Sequence, residues 1–431
     1  MKKWFSKNKK LILMILFTLA ALLIWRFGTK ITLPLLDLSS ATTDDTSNLF
    51  GFLDIFTGGA LSQFSILALG ISPYITASIV VELLKLDIIP KFAEWAEEGE
   101  EGRAKLSQWT RYIALILAFV QSLTIILGLA ASSKSIYFAS TVNPNAFTYL
   151  YLALIMTAGT AFVMWLADQM TMHGIGNGGS MIIAAGIVSS LPAMFVSLWN
   201  QFITGTTESP RTTWSVVQFI IICVLFLAII IAIVFLEGVQ RHIPVQYSNR
   251  PSSYQLVGRQ DSTIPIKLNS ASVIPVIFAS TILSIPTTVL NFIGTVDSES
   301  WWYIVFSTSK PIGFAIYIIL IFIFSFFYSF LQIDPDKIAT NLKNQNAYVP
   351  GYKPGEETAN FISRVLFKVT LLGATYLAIV AALPIIISWI FNLGSSVSIG
   401  GTSIMIVVGV AIETAKQIKQ EVNAQEYHGF L

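Results

Sequence analysis

The sequence predicts an all-α polytopic membrane protein, ten helices arranged as two inverted halves of five. Three observations predict it. Of 431 residues, 54% are apolar and only 12% charged, against about 25% charged in an average soluble domain. Ten stretches are candidates for crossing a hydrocarbon core, which takes roughly 20 mostly apolar residues of helix. A short motif, Pro-x-Ile-x-Ala-Ser, also occurs twice at corresponding places. Three histidines (His173, His242, His428) and the single Cys223 exclude a Cys-rich zinc site, a disulfide and a c-type haem attachment. No cofactor or metal site is expected.

In chain order the spans fall near 11–27, 66–84, 111–131, 148–168, 179–199, 214–236, 272–293, 311–332, 369–391 and 400–414. The sixth and eighth are continuous apolar runs, as expected against lipid, whereas the second, seventh and tenth are broken by Gly, Pro, Ser and Thr. Lysines at 2, 3, 7, 9 and 10 ahead of LILMILFTLAALLIW also fit a secretory signal peptide. No small-residue cleavage site follows and nine further spans do, which favours a retained first span.

With residues 1–10 placed inside, the inner segments hold 21 of the 26 basic residues, leaving Arg26, Lys30, Lys134, Arg211 and Lys310 outside. The positive-inside rule then puts both termini in the cytoplasm. The expected organisation is a cytoplasmic N-terminus (1–10), an N-terminal half (11–199), an external hinge loop (200–213), a C-terminal half (214–414) and a cytoplasmic tail (415–431). Two long cytoplasmic loops, 237–270 and 333–368, are candidate docking surfaces.

The motif pairs Pro73, Ile75, Ala77 and Ser78 with Pro275, Ile277, Ala279 and Ser280, and GGSMII at 178–183 weakly echoes GGTSIMI at 400–406. These matches fall at the second and fifth span of each half, so the chain reads as two five-span repeats of opposite orientation. Interrupted helices at corresponding places put the functional path at the repeat interface. Hydroxyls at Ser72, Thr76, Ser78, Ser280, Thr281, Thr287 and Thr288 point the same way, towards protein, water or substrate and away from lipid.

Catalytic and coupling chemistry is sparse. Glu82, Asp168, Glu413 and Arg26 lie near span ends and read as interface groups. His173, in MHGIGNGG, reads as a turn residue, and that glycine run follows a membrane span and not the strand a dinucleotide site needs. No HExxH, Walker A or GxSxG element is present, so the chain is not expected to be an enzyme. Cys223 reads as a packing residue.

Several motifs in order carry a family resemblance: FTGGALSQFSILALGISPYITASIVVELL, EEGRAKLSQWTRY, WLADQMTMHGIGNGGSMIIAAGIVSSLP, IPVQY, IPIKLNSASVIPVIFAS, ATNLKNQNAYVPGYKPGEETANFI and GGTSIMIVVGVAIETAKQI. On these the chain resembles the SecY family, channel-forming subunits of the bacterial Sec protein translocase. The resemblance runs from the first span to the last ten residues.

It implies an hourglass pore between the halves, with a central ring at Ile71, Ile75, Gly179, Ile183, Ile277 and Ile406. Five isoleucines would form an apolar gasket that blocks ions by dewetting, while Gly179 departs from the family's bulky residue. It implies a plug helix at 48–64, including Leu53, Ile55, Phe56, Gly58 and Gly59, and a lateral gate to lipid at Pro73, Thr76, Ser78, Pro275, Ser280 and Thr281. It implies docking of the SecA motor and the ribosome, with its RNA, through Arg241, His242, Arg250, Lys353, Pro354 and Gly355. His242 and Lys353 stand where the family has arginine, and lysine loses the planar fork. SecE, SecG, SecDF and a YidC-type insertase are the further implied partners, and unfolded preproteins the substrate, in the cell membrane. A small-solute secondary transporter is the rival class. It shares inverted repeats and broken helices but requires coordinating groups at mid-membrane, where this sequence places isoleucines.

Overall fold

The computed structural model describes residues 9–35, 57–85, 89–131, 145–204, 213–247, 262–270, 273–293, 301–308, 310–391 and 395–427. The helices are α1 (Lys9–Gly28), α2 (Ser72–Leu84), α3 (Pro90–Glu97), α4 (Glu100–Ala131), α5 (Ala146–His173), α6 (Gly178–Trp199), α7 (Thr213–Glu237), α8 (Ile274–Ile293), α9 (Trp301–Phe306), α10 (Pro311–Gln332), α11 (Pro335–Asn344), α12 (Glu356–Phe391) and α13 (Ser395–Tyr427). Strands β1 (Gln240–Tyr247), β2 (Ser262–Lys267) and β3 (Ala347–Tyr348) interrupt them. The ten expected spans correspond to α1, α2, α4, α5, α6, α7, α8, α10, α12 and α13.

The two halves pack alike. In the first, α2 lies on α4, α4 on α5, α5 on α6, and α1 on α5 and α6. In the second, α8 lies on α10, α10 on α12, α12 on α13, and α7 on α12 and α13. Each helix thus meets the counterpart of its partner in the other half, as a repeated five-span unit requires. The halves join where α6 packs along α13 and where α8 crosses α4 and α2. Lys10 Nζ pairs with Glu421 at 2.9 Å, so the start of α1 and the end of α13 share one side of the molecule, here the termini side.

Helix α5 illustrates how side-chain spacing sets the packing. Leu152, Met156, Gly159, Val163 and Met170 are buried at steps of three, four and seven, while Leu154, Phe162 and Trp165 on the other face are exposed. An exposed apolar face is what a lipid-facing helix needs. The buried face includes Gly159, against which the Ile66 carbonyl packs so closely that a Cβ would overlap it. Small residues at such contacts let backbones approach in membrane proteins.

The second span differs from expectation. Residues 66–71 form turns, and α2 begins only at Ser72. Pro73 sits in the first turn of α2, where its missing N–H costs nothing, and Gly70 before it has φ +54°. Pro275 occupies the same place in α8, so the repeated motif marks two helices that start at corresponding points. Three others run longer than their apolar stretches: α4 starts at Glu100, α12 at Glu356, and α13 continues to Tyr427. Glu100 with Glu101, and Glu356 with Glu357, fill the first turns of α4 and α12, where negative charge suits the helix dipole.

The loops at 237–270 and 333–368 contain a three-stranded antiparallel sheet of order β2-β1-β3 that the hydropathy reading left as loop. Arg241 pairs with Ile266, Ile243 with Ile264, and Gln246 with Tyr348. Alternation explains it: Ile243 and Val245 are buried and His242 and Pro244 exposed. The buried face packs on Leu342, Ile362 and Leu366, which ties both loops into one small core on the termini side.

Enlarging Gly159 tests the buried contact. Gly159→Val is expected to destabilise the detergent-solubilised protein by about 1–3 kcal/mol through overpacking, while Ala158→Val on the exposed face stays within about 0.5 kcal/mol. Thermal unfolding of the two variants beside the parent measures the difference.

Candidate functional site

Five of the six expected ring positions come together. Ile71, Ile183 and Ile406 are buried in one apolar cluster, and Ile75 and Ile277 pack against it. The cluster draws on α2, α6, α8 and α13, so both halves contribute. Local geometry explains each placement. Ile71 caps α2 and Ile75 lies one turn later on the same face. Ile183 and Ile187 repeat that spacing on α6, as do Ile406 and Val410 on α13. On α8, Ile277 follows Pro275 in the first turn.

Gly179 lies beside this cluster as the second residue of α6. A Cβ built there would stand 3.3 Å from both Asn177 Oδ1 and Ile71 Cδ1, so a larger residue at this position presses on the Ile71 side chain. Asn177 fixes the start of α6, its Oδ1 accepting from the N–H of Gly179 at 3.0 Å and of Ser180 at 3.4 Å. The preceding turn is tied to both ends of the chain. Ile175 N–H donates to Thr18 Oγ1 on α1 at 3.0 Å and Gly176 N–H to Gln417 Oε1 on α13 at 2.9 Å. The glycine run is thus a junction between helices, a role that its composition alone does not reveal.

Of the residues expected in the plug, Leu53, Ile55 and Phe56 lie outside the described residues, as does Arg250 among the docking positions. Gly58 and Gly59 are described, both at positive φ, +69° and +82°. Residues 57–71 fold as turns between α1, α5 and α6, with Ala60, Leu61, Phe64 and Ala68 buried. Leu33 N–H donates to the Phe64 carbonyl at 2.8 Å and Ile66 N–H to the Ile31 carbonyl at 2.9 Å, which satisfies this non-helical backbone inside the protein.

The six expected gate residues lie on α2 and α8, the two helices that meet across the seam between the halves. Pro73, Thr76, Pro275 and Thr281 are buried and Ser78 and Ser280 half-buried. The hydroxyls bond to their own helices: Thr76 to the Ser72 carbonyl at 3.2 Å, Ser280 and Thr281 to the Ile277 carbonyl at 2.8 and 2.7 Å. Each side of the seam is anchored to its own half. Ala77 of α2 packs on Ala114 of α4 and Met164 of α5. Phe278 of α8 meets Tyr328 and Phe324 of α10 edge-on, with ring centres 4.9 and 5.8 Å apart.

The remaining docking positions share the termini-side core. Arg241 and His242 are exposed on β1, and His242 Nδ1 lies 3.3 Å from Thr263 Oγ1 on β2. Lys353 and Pro354 are exposed, while the Lys353 carbonyl accepts from Thr358 Oγ1 at 2.7 Å and Gly355 has φ +107°. The loop before α12 is thus held by its backbone and leaves the Lys353 ammonium outside.

Two of the charged groups near span ends form ion pairs. Asp168 meets Arg111 at 3.0 Å and Glu82 meets Lys85 at 2.9 Å. Two polar residues carry more structure than the sequence reading gave them. Arg26 donates to the Gly58 carbonyl at 2.7 Å and so does not simply face the interface. Buried Glu237, at the end of α7, accepts from Asn269 Nδ2 at 3.2 Å, and its carbonyl accepts from Lys416 Nζ of α13 at 3.2 Å. Both partnerships span distant chain positions, which hydropathy does not register.

Comparison with known proteins agrees with this architecture. A family model described as SecY matches residues 65–415. The chain is similar to the protein translocase subunit SecY of Halalkalibacterium halodurans, 42% identical over 418 residues that cover 97% of this chain and 96% of that one. It is similar to the SecY subunit of Staphylococcus carnosus, 43% identical over 433 residues covering 99% and 98%. Among solved structures, one described as a protein conducting channel superposes with a TM-score of 0.70 at 17% identity, covering 96% of this chain and 93% of that one. Sec61 in the canine ribosome-channel complex superposes with a TM-score of 0.67 at 16% identity, with the same coverage.

The packing at Gly179 gives a direct test. Gly179→Leu is expected to destabilise the protein by about 1–3 kcal/mol because Ile71 must move. Adding Ile71→Ala should recover part of that loss, a coupling of roughly 0.5–3 kcal/mol for residues in contact. Thermal unfolding of the two single variants and the double variant measures it, and strict additivity would show that the two side chains do not compete for space.

Proposed function

The chain belongs to the SecY family of protein translocase subunits, and from that premise we propose that its apolar cluster is the constriction through which an unfolded polypeptide crosses the membrane. The observation that carries this reading is the meeting of Ile71, Ile75, Ile183, Ile277 and Ile406, from four helices of both halves, in one cluster. A ring of branched apolar side chains blocks hydrated ions by dewetting. It offers no binding site to any particular side chain, which suits a substrate defined by being unfolded. Beside Gly179 the Ile71 side chain comes within 3.3 Å of where a Cβ would stand, which supports a closed ring despite the glycine.

The family resemblance gives residues 48–64, of which 57–64 are described, the role of a plug for this ring, and the seam between α2 and α8 is its exit towards lipid. A signal sequence or membrane segment at the seam gains by partitioning its apolar helix into the bilayer, and that gain biases the gate towards opening. Anchoring of α2 to α4 and of α8 to α10 lets the halves part there as bodies. SecE and SecG are the membrane partners, with SecDF and a YidC-type insertase as accessory ones. The SecA motor or the translating ribosome supplies the energy.

Arg241, His242 and Arg250 on one loop and Lys353, Pro354 and Gly355 on the other form the docking surface for motor and ribosome. Support comes from the shared core beneath both loops, and from the attraction of exposed basic side chains to RNA phosphates and acidic protein surfaces. The protein is multi-pass, and the excess of basic residues on the termini side supports a cytoplasmic orientation of that side.

Site-specific crosslinking tests the pore assignment. A stalled precursor with one cysteine in its mature part is engaged in inverted membrane vesicles with SecA and ATP, using Cys223→Ser combined with Ile277→Cys or Ile75→Cys. Crosslinks at both positions that depend on a functional signal sequence are expected. Absence of crosslinks, in variants that assemble and engage the precursor, would reject the cluster as the path.

A further inference from the structure

Arg26 lies in the last turn of α1, beside the segment 57–71. An arginine stays charged and keeps five N–H donors, so, half-buried as it is, it needs acceptors. It finds one in the Gly58 carbonyl, 2.7 Å from Nη1. Ser189 Oγ of α6 is 3.5 Å from the same oxygen, but its short bond, 2.8 Å, goes to the Gly186 carbonyl. The guanidinium is therefore the stronger of these two donors to Gly58.

Gly58 fits this place closely. A Cβ there would lie 2.6 Å from Ser189 Oγ, 3.1 Å from the Trp25 ring and 3.2 Å from Gly186 Cα. Trp25 belongs to the cluster that contains Ile71 and Ile183, and Gly186 follows Ile183 by three residues on α6. Gly58 thus sits one helical turn from the ring.

The two ends of the segment are held differently. Residues 64–66 are fixed by main-chain bonds to Ile31 and Leu33 and by the bridge between Thr32 and Ser65. The Gly58 carbonyl accepts from a side chain, and when the two part, water must replace the guanidinium at that oxygen. Gly59 next to it has φ +82° and no atom within 4 Å of where a Cβ would stand, so no side chain has to be displaced if the backbone turns there.

We propose that Arg26 is a positioning residue for translocation: its bond to the Gly58 carbonyl holds residues 57–59 against the ring in the closed channel, and breaking it is a step of opening. Arg26 then sets how strongly a signal sequence must act to open the channel. This rests on reading the isoleucine cluster as the pore.

The test compares the parent with Arg26→Gln and Arg26→Lys, each in its complex with the membrane partners, in inverted vesicles with SecA and ATP. One precursor carries an intact signal sequence and a second carries a charged residue in the apolar core of its signal. A charge-assisted hydrogen bond corresponds to roughly ten- to hundredfold in an opening equilibrium. Arg26→Gln is accordingly expected to raise transport of the defective precursor relative to the intact one about tenfold or more. Arg26→Lys, which keeps the charge but loses the fork, is expected to fall between the two. An unchanged ratio, or an equal fall for both precursors, overturns the proposal. If Arg26→Gln does not assemble, the ratio in Arg26→Lys decides in the same way. Crosslinking of the intact precursor to Ile277→Cys in the Arg26→Lys background separates the two readings. Crosslinks with an unchanged ratio sink the latch alone, and no crosslinks in the parent background sink the pore.

Discussion

Non-helical backbone at membrane depth must find every hydrogen-bond partner within the protein, and much of this structure follows from that constraint. Residues 57–71 turn back between α1, α5 and α6 before α2 begins at Ser72. Their backbone groups reach Ile31 and Leu33 on one side and the Arg26 guanidinium on another. Gly159 gives the Ile66 carbonyl room to approach. A shorter α2 is the result, and it brings Ile71 and Ile75 to the middle of the molecule, where α6, α8 and α13 meet them.

The repeat makes the same arrangement twice with opposite polarity. Pro73 and Pro275 each stand in the first turn of a helix, and each such helix leans on the next span of its own half. The isoleucine cluster and the seam therefore both lie on the boundary between halves. On the termini side, Lys416 of α13 bonds to the Glu237 carbonyl at the end of α7, next to Asn269 beyond β2. The sheet that presents Arg241 and His242 is in this way joined to the helix that carries Ile406.

Hydropathy made most of the spans legible, because seven of the described helices are long and apolar enough to cross a membrane, while α2 and the described apolar part of α8 are shorter. The duplicated Pro-x-Ile-x-Ala-Ser motif exposed the inverted halves, and the family resemblance named the isoleucines that meet in the cluster. Other features were hidden for physical reasons. The start of α2 is set by Gly70 and Pro73 and not by hydropathy, since Ile66, Leu67 and Leu69 are as apolar in turns as they would be in a helix. The sheet was missed although Ile243 and Val245 alternate with His242 and Pro244, a period-two signal that a search for long apolar runs passes over. Arg26 read as an interface group because its acceptor is a backbone carbonyl 32 residues away, which has no signature in side-chain chemistry.

Ionic conductance of the closed complex in a planar bilayer probes the central claim most directly, that the isoleucine cluster is the seal. Replacing Ile183 and Ile406 together by serine puts two hydroxyls where two apolar side chains exclude water. A resting conductance well above that of the parent, with the complex assembled at parental levels, is the result that dewetting by these residues predicts. A double variant as tight as the parent would place the seal elsewhere and contradict the account.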